Sequence, residues 1–159
     1  MKGQGSTEYL VVFAAVLVIA LIVIFLLGQF SGFSQKSLAD QSKSSWAQMV
    51  PVAVEDFGPV GNGSTNVTLK LKNLDVKKLY IRDVLFDGTS ATASTPTFGN
   101  AAKLNPGQDK EFEVQFGTVC DSGDSGQMVE YDMQINYSYK AGGTQFTEVG
   151  STPIRILCP

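Results

Sequence analysis

Glu8 is a lone carboxylate at the mouth of an uncharged apolar run, Leu10 to Leu27. A carboxylate at the edge of a low-dielectric medium loses several kcal/mol of hydration unless a cation or strong donors stand close by. The chemistry open to Glu8 is therefore ion pairing, and the alternative is a carboxylate solvated among lipid headgroups. Cys120 and Cys158 are the only cysteines. In an exported domain two cysteines most simply form one disulfide, and the alternative is a pair of free buried thiols. Closing a loop of roughly 40 residues would contribute about 4 kcal/mol on the chain-entropy model. Asn62-Gly63-Ser64, Asn66-Val67-Thr68 and Asn136-Tyr137-Ser138 match the N-glycosylation acceptor pattern, which arises often by chance. Asp121-Ser122-Gly123-Asp124-Ser125-Gly126 sets two carboxylates in a glycine-rich loop. Their order does not fit the alternating ligands of a calcium loop, so this stretch reads as a solvated turn and no metal is assigned.

Catalysis has little to work with. The chain contains no histidine, which removes the commonest general base and metal ligand. Oxidised cysteines are poor nucleophiles, and no phosphate-cradling glycine loop appears. The expectation is a protein that is not an enzyme and carries no cofactor. With 12 Lys and Arg against 15 Asp and Glu, the net charge is −3 and no broad nucleic-acid footprint is evident.

The element that positions Glu8 is the apolar run itself. About 20 such residues span roughly 30 Å as a helix, the thickness of a bilayer's hydrocarbon core. The run holds only Val, Phe, Ala, Leu and Ile, so the helix is apolar on every face and must be buried in lipid or in protein. A secretory signal peptide has a shorter core and an Ala-x-Ala-like site after it, which Gly28 to Ser34 does not supply. A plain signal anchor fits the length but gives Glu8 no task. Lys2, the only cation before the run, favours a cytoplasmic N-terminus. Outside lipid, each bare Val, Leu, Ile or Phe costs about 1.5 to 3 kcal/mol, so the exposed helix would cost tens of kcal/mol. Identical helices packed through heterologous contacts that never close would give a helical filament. Leaving lipid gains little hydrophobic energy, so extraction would need a motor as a partner.

Past Leu27 an intermittent apolar side continues through Phe30, Phe33, Leu38, Trp46 and Met49, with Lys36, Asp40 and Lys43 on an exposed face and Pro51 as the stop. Trp46 lies nearly 30 Å of helix beyond Leu27, which favours packing on the following domain over a place at the membrane interface. From Val52 the period changes to two. Val67–Lys72, Glu111–Phe116 and Tyr131–Tyr139 alternate as half-buried strands. Leu79–Ile81 and Val84–Phe86 form another, with a bulge near Arg82-Asp83. Lys140-Ala141-Gly142-Gly143 reads as a hairpin turn before Phe146, and Ile154–Leu157 closes the chain. The fold class expected is α+β: a long N-terminal hydrophobic helix, then an antiparallel Ig-like β-sandwich head of about 100 residues.

Lys2-Gly3 followed by Gln4-x-Ser6-x-Glu8-Tyr9-Leu10 resembles the class III signal peptide of archaeal type IV pilin-like proteins. The resemblance covers about the first 30 residues. It implies cleavage by a membrane prepilin peptidase between Gly3 and Gln4, which makes Glu8 the fifth residue of the mature subunit and creates a new α-amine at Gln4. That amine, on a neighbour or on the same chain, would partner Glu8 and check the register of an incoming subunit. The implied organisation is a leader at 1–3, a polymerisation helix at 4–50 and a head at 51–159. By resemblance the partners are other copies of the chain, the peptidase, a pilus assembly ATPase with its membrane platform, and a surface or cell receptor. The precursor would be a single-span plasma-membrane protein, and the product a cell-surface filament for adhesion, motility or uptake. A minor pilin, an archaellum-type subunit or a membrane-anchored extracellular binding module are the alternatives.

Overall fold

The computed structural model describes residues 4–59, 65–117, 119–120 and 123–158, with side chains from 8–28 and from 34 onward. The chain divides into two compact units, Met1–Ser34 and Gln35–Pro159. One helix, α1 (Gln4–Trp46), supplies the first unit and ends in the second.

Within Gln35–Pro159 the last turns of α1 bury one face. Ala39, Ser42 and Trp46, spaced three and four apart, are buried, and Trp46 has no exposed surface. The indole Nε1 donates to the Thr152 carbonyl at 3.0 Å, and Ser42 Oγ donates to the Pro153 carbonyl at 2.7 Å. Lys43 on the flank pairs with Asp56 at 2.6 Å and lies over the Phe57 ring. The helix stops at Trp46, earlier than Pro51. Gln48 N–H to Ser45 O and Met49 N–H to Trp46 O, both 3.3 Å, tighten the exit into a turn. Val50, before proline, is pushed towards extended backbone and leads into the first strand.

The strands are β1 (Val52–Pro59), β2 (Asn66–Asn73), β3 (Leu79–Phe86), β4 (Thr89–Ser90), β5 (Thr92–Thr95), β6 (Lys103–Leu104), β7 (Asp109–Gln115), β8 (Met128–Tyr131), β9 (Met133–Ser138), β10 (Phe146–Val149) and β11 (Ile154–Leu157). They form an antiparallel sheet β1-β2-β7-β5, a second antiparallel sheet β10-β9-β3-β4 with β6 also on β3, and the ribbon β11-β8. The molecule is thus α+β.

β2 alternates without a break, sending Val67, Leu69, Leu71 and Asn73 inward. In β3 the buried residues are Leu79, Ile81, Val84 and Phe86. The step of three between Ile81 and Val84 would throw one half outward in a regular strand. A register shift between Ile81 and Asp83 restores the inward phase. These residues join Phe112, Val114, Met133, Ile135, Ile154, Ile156 and Trp46 in one core.

The alternating run Tyr131–Tyr139 is two strands and not one. Asp132 N–H donates to Asp87 Oδ1 at 2.8 Å and Asp87 N–H donates to the Asp132 carbonyl at 2.9 Å, so the chain changes partners there. Tyr131 belongs to β8 in the ribbon and Met133 starts β9 in the second sheet. Side-chain phase is kept across the junction, so a period of two cannot reveal it.

Candidate functional site

The unit Met1–Ser34 carries an apolar helical surface of which no residue is buried among those described. In the unit Met1–Ser34, the 21 residues Glu8–Gly28 form a helix long and apolar enough to cross a membrane, with none of that window buried. Its large apolar side chains from Leu10 to Leu27 are 46–67% exposed, and they occupy every face of the helix. Glu8 is exposed and stands one turn inside the helix start, not at the cap. Beside it, the Tyr9 and Phe13 rings stack at 6.4 Å, the spacing of one helical turn. Gln4 begins the helix, while Lys2 and Gly3 lie outside the described residues.

The other residues singled out from sequence are all in Gln35–Pro159 and do not converge. Cys120 and Cys158 are both buried and are joined by a disulfide, with Cα atoms 5.6 Å apart. The bond ties the end of β11 to the loop that follows β7, at the end of the β8–β11 ribbon. The ribbon's pairing runs on beside it, with Cys158 N–H donating to the Gln127 carbonyl at 2.9 Å and Gly126 N–H to the Cys158 carbonyl at 3.0 Å. Asn66 opens β2, half-buried, and its Nδ2 donates to Glu113 Oε1 at 2.6 Å. Asn136 sits inside β9 between β10 and β3, and its Oδ1 accepts from Thr147 Oγ1 at 2.6 Å. Asn62, Asp121 and Ser122 lie outside the described residues. At Asp124, Gln127 N–H donates to the carbonyl and closes a turn. Among the described residues no group of three or more His, Cys, Asp or Glu side chains is placed to hold a metal.

Glu148 was not anticipated. It lies in β10 on the face it shares with Phe146, opposite Ile135; Phe146 at the strand's start stays partly exposed, Thr147 and Val149 are on the other face, and the Glu148 carboxylate is buried. Oε2 accepts from Val52 N–H at 3.1 Å, whereas Oε1 has no partner among the described residues. Burial pushes this carboxyl up from 4.5 to about 7, and the single backbone donor offsets that only in part. Alternation in Phe146-Thr147-Glu148-Val149 puts Phe146 and Glu148 on one face of an edge strand, and sequence alone does not say which face is covered. An inward charge on an edge strand opposes pairing with a second sheet.

A raised carboxyl pKa has a defined sign. Between 4.5 and about 7 the folded state keeps a proton that the unfolded chain has released, so stability falls as pH rises through that window and levels off above it. Thermal unfolding of the full chain in neutral detergent is expected to show the highest midpoint near the acidic end. Glu148→Gln keeps the acceptor for Val52 N–H and should flatten the profile, with its gain over the parent largest above about pH 7.

No family model matches the chain, and no curated protein matches it. Among solved structures it is similar to a Vibrio cholerae protease, VesB, at 18% identity and a TM-score of 0.37, over 70% of this chain and 33% of that one. The chain therefore spans about a third of the protease's length, and a likeness this distant carries no argument.

Proposed function

We propose that this chain is the structural subunit of an archaeal type IV pilus-like filament, its stems packed in the filament core and its heads outside. The observation that carries the reading is Glu8–Gly28, 21 residues of a helix long and apolar enough to cross a membrane, with none of that window buried among the described residues. Lipid can cover that surface before assembly, and sister stems can cover it afterwards. Glu8 then has a task, because a cleaved subunit carries an amine at Gln4 one helical turn away in sequence. The head is read as an Ig-like sandwich. Support comes from the strand orders β1-β2-β7-β5 and β10-β9-β3-β4, which follow in chain order the ABED and GFCC′ sheets of immunoglobulin domains. The ribbon β8–β11 with its disulfide is an addition to that plan. On this reading the chain is not an enzyme, and its partners are the peptidase, the assembly ATPase and platform, and a receptor.

A membrane-anchored binding module uses the same helix but leaves it in the bilayer. Mass spectrometry of surface-exposed material separates the two. The pilin reading expects a chain starting at Gln4, recovered in filaments visible by electron microscopy of sheared cells. An intact Met1 on dispersed single-span molecules would refute it.

A further inference from the structure

The cations of the head are sorted. Lys43, Lys70, Lys72 and Arg155 are in ion pairs with Asp56, Glu55, Asp109 or Glu130. Of the other cations in Gln35–Pro159, none of which forms an ion pair among the described residues, Lys36 lies on α1 and Lys110 on β7, while Lys77, Lys78, Arg82, Lys103 and Lys140 gather at one end of the second sheet. Lys77 and Lys78 lie just before β3, Lys103 is opposite Tyr80, and Arg82 reaches the turn at Lys140. On a chain of net charge −3, five cations gathered around a turn that carries the Asp75 carboxylate still leave a local excess of positive charge.

Both turns that carry the lysines are fixed. Asn73 is buried and donates to the carbonyls of Lys77 and Leu104 at 2.8 and 3.1 Å. Its Oδ1 accepts from Asp75 N–H at 2.8 Å, and Asp75 Oδ1 accepts from Lys77 N–H at 3.1 Å. Tyr139 OH donates to Asp75 Oδ2 at 2.8 Å, so the one acid of this turn already has donors on both oxygens. The second turn is held from inside. The Lys140 carbonyl accepts from Arg82 Nη2, Ser138 Oγ and Gly143 N–H, at 2.8, 2.9 and 3.0 Å. Between the turns lie two shallow cavities that share Tyr139 and Lys140. One, of about 540 Å³, adds Lys77 and Lys78, and the other, of about 230 Å³, adds Gly143, Thr144 and Phe146.

We infer that this surface binds an acidic polysaccharide, with Lys77, Lys78 and Lys140 meeting its carboxylate or sulfate groups and Phe146 offering an exposed ring to the C–H face of a sugar. Preorganised turns lower the ordering cost of such a contact. A single nucleic-acid strand fits the surface less well, because base stacking needs a series of open ring faces. Here Lys77 covers Tyr139 and Arg82 covers Tyr80, and Phe146, stacked on Tyr137 by one face, leaves a single partly open ring and not a series. The site stands whether or not the stem polymerises.

The test uses the full chain in neutral detergent micelles, with heparin, polygalacturonate, neutral dextran and an oligo-dT strand as probes. Heparin and polygalacturonate should bind and dextran should not, with binding weakening roughly tenfold or more between about 50 and 300 mM salt. The triple variant Lys77→Ala, Lys78→Ala, Lys140→Ala should lose about tenfold or more, while Lys70→Ala with Lys72→Ala, on the ion-paired sheet, should change binding by less than about twofold. Unchanged thermal melting of the triple variant assigns its loss to the surface and not to the fold. No binding of either acidic polysaccharide at low salt, equal losses in the two variants, or tighter binding of oligo-dT would each overturn the assignment.

Discussion

Glu8→Ala is expected to give a chain that inserts in the membrane and folds its head, yet assembles filaments at a small fraction of the normal yield. The substitution removes no core contact, since Glu8 is exposed in the single chain and the core lies in Gln35–Pro159. Its effect falls on the assembled state. In a stem bundle a new α-amine at Gln4 would sit in low dielectric, and leaving one member of such a pair alone costs about 3 to 5 kcal/mol. Every subunit repeats the loss. At about 1.4 kcal/mol per tenfold, addition of one subunit should weaken by roughly a hundredfold or more. Glu8→Gln should also fail, because a neutral amide cannot compensate a cation, whereas Glu8→Asp should retain partial assembly. Filament counts by electron microscopy against membrane-inserted subunit measured by immunoblot give the ratio. Normal filaments from Glu8→Ala would refute the register role and leave the stem's burial to be explained by packing alone.

The second large effect is expected at Gly150. A Cβ built there would fall inside the Trp46 indole, against Cζ2, Cη2 and Cε2. Those atoms belong to a ring with no exposed surface whose N–H is already committed to Thr152, so the ring has nowhere to move. Overpacking of this severity costs about 3 kcal/mol or more, and Gly150→Ala should lower the thermal midpoint by roughly 10 °C or more. Trp46→Ala should cost about 3 to 5 kcal/mol through the cavity it leaves. The two losses should not add. In the Trp46→Ala background, Gly150→Ala should cost close to nothing, because the clashing atoms are gone. A double-mutant cycle by chemical or thermal unfolding measures this coupling, and additive losses would show that the indole is not what Gly150 accommodates.

Much of the architecture was legible because burial imposes a period. β2, β7 and β9 announce themselves by alternation, and the β3 bulge by a step of three between Ile81 and Val84. The hairpin before β10 was marked by Gly142, whose positive φ of 70° glycine adopts at no steric cost. What stayed hidden depends on partners and not on period. Asp132 keeps phase while the chain passes from one sheet to another, so no local pattern records the change. Glu148 is concealed for a related reason: it shares a face with Phe146, and nothing in a four-residue edge strand says which face a partner element will cover. The requirement for glycine at residue 150 came from a ring more than 100 positions away, which no window along the sequence can contain. Glu8 was the opposite case. The register role proposed for it rests on its immediate neighbours in sequence, and nothing in the fold of the head bears on it.

The burial of Ala39, Ser42 and Trp46 in the Gln35–Pro159 unit has a mechanical consequence. Tension arriving along the backbone at Gln35 meets a helical face whose Ser42 and Trp46 hydrogen bonds both end on the short stretch between Gly150 and Pro153, while Lys43 on its flank holds Asp56 of β1. That stretch is continuous with β10 on one side and with β11 on the other, and β11 is anchored at its far end through Cys158 to Cys120. A tug is therefore shared between two strands and a covalent cross-link, and it must rupture several contacts together before the head gives way. Reducing agents should leave the resting head in place but lower the force at which it yields.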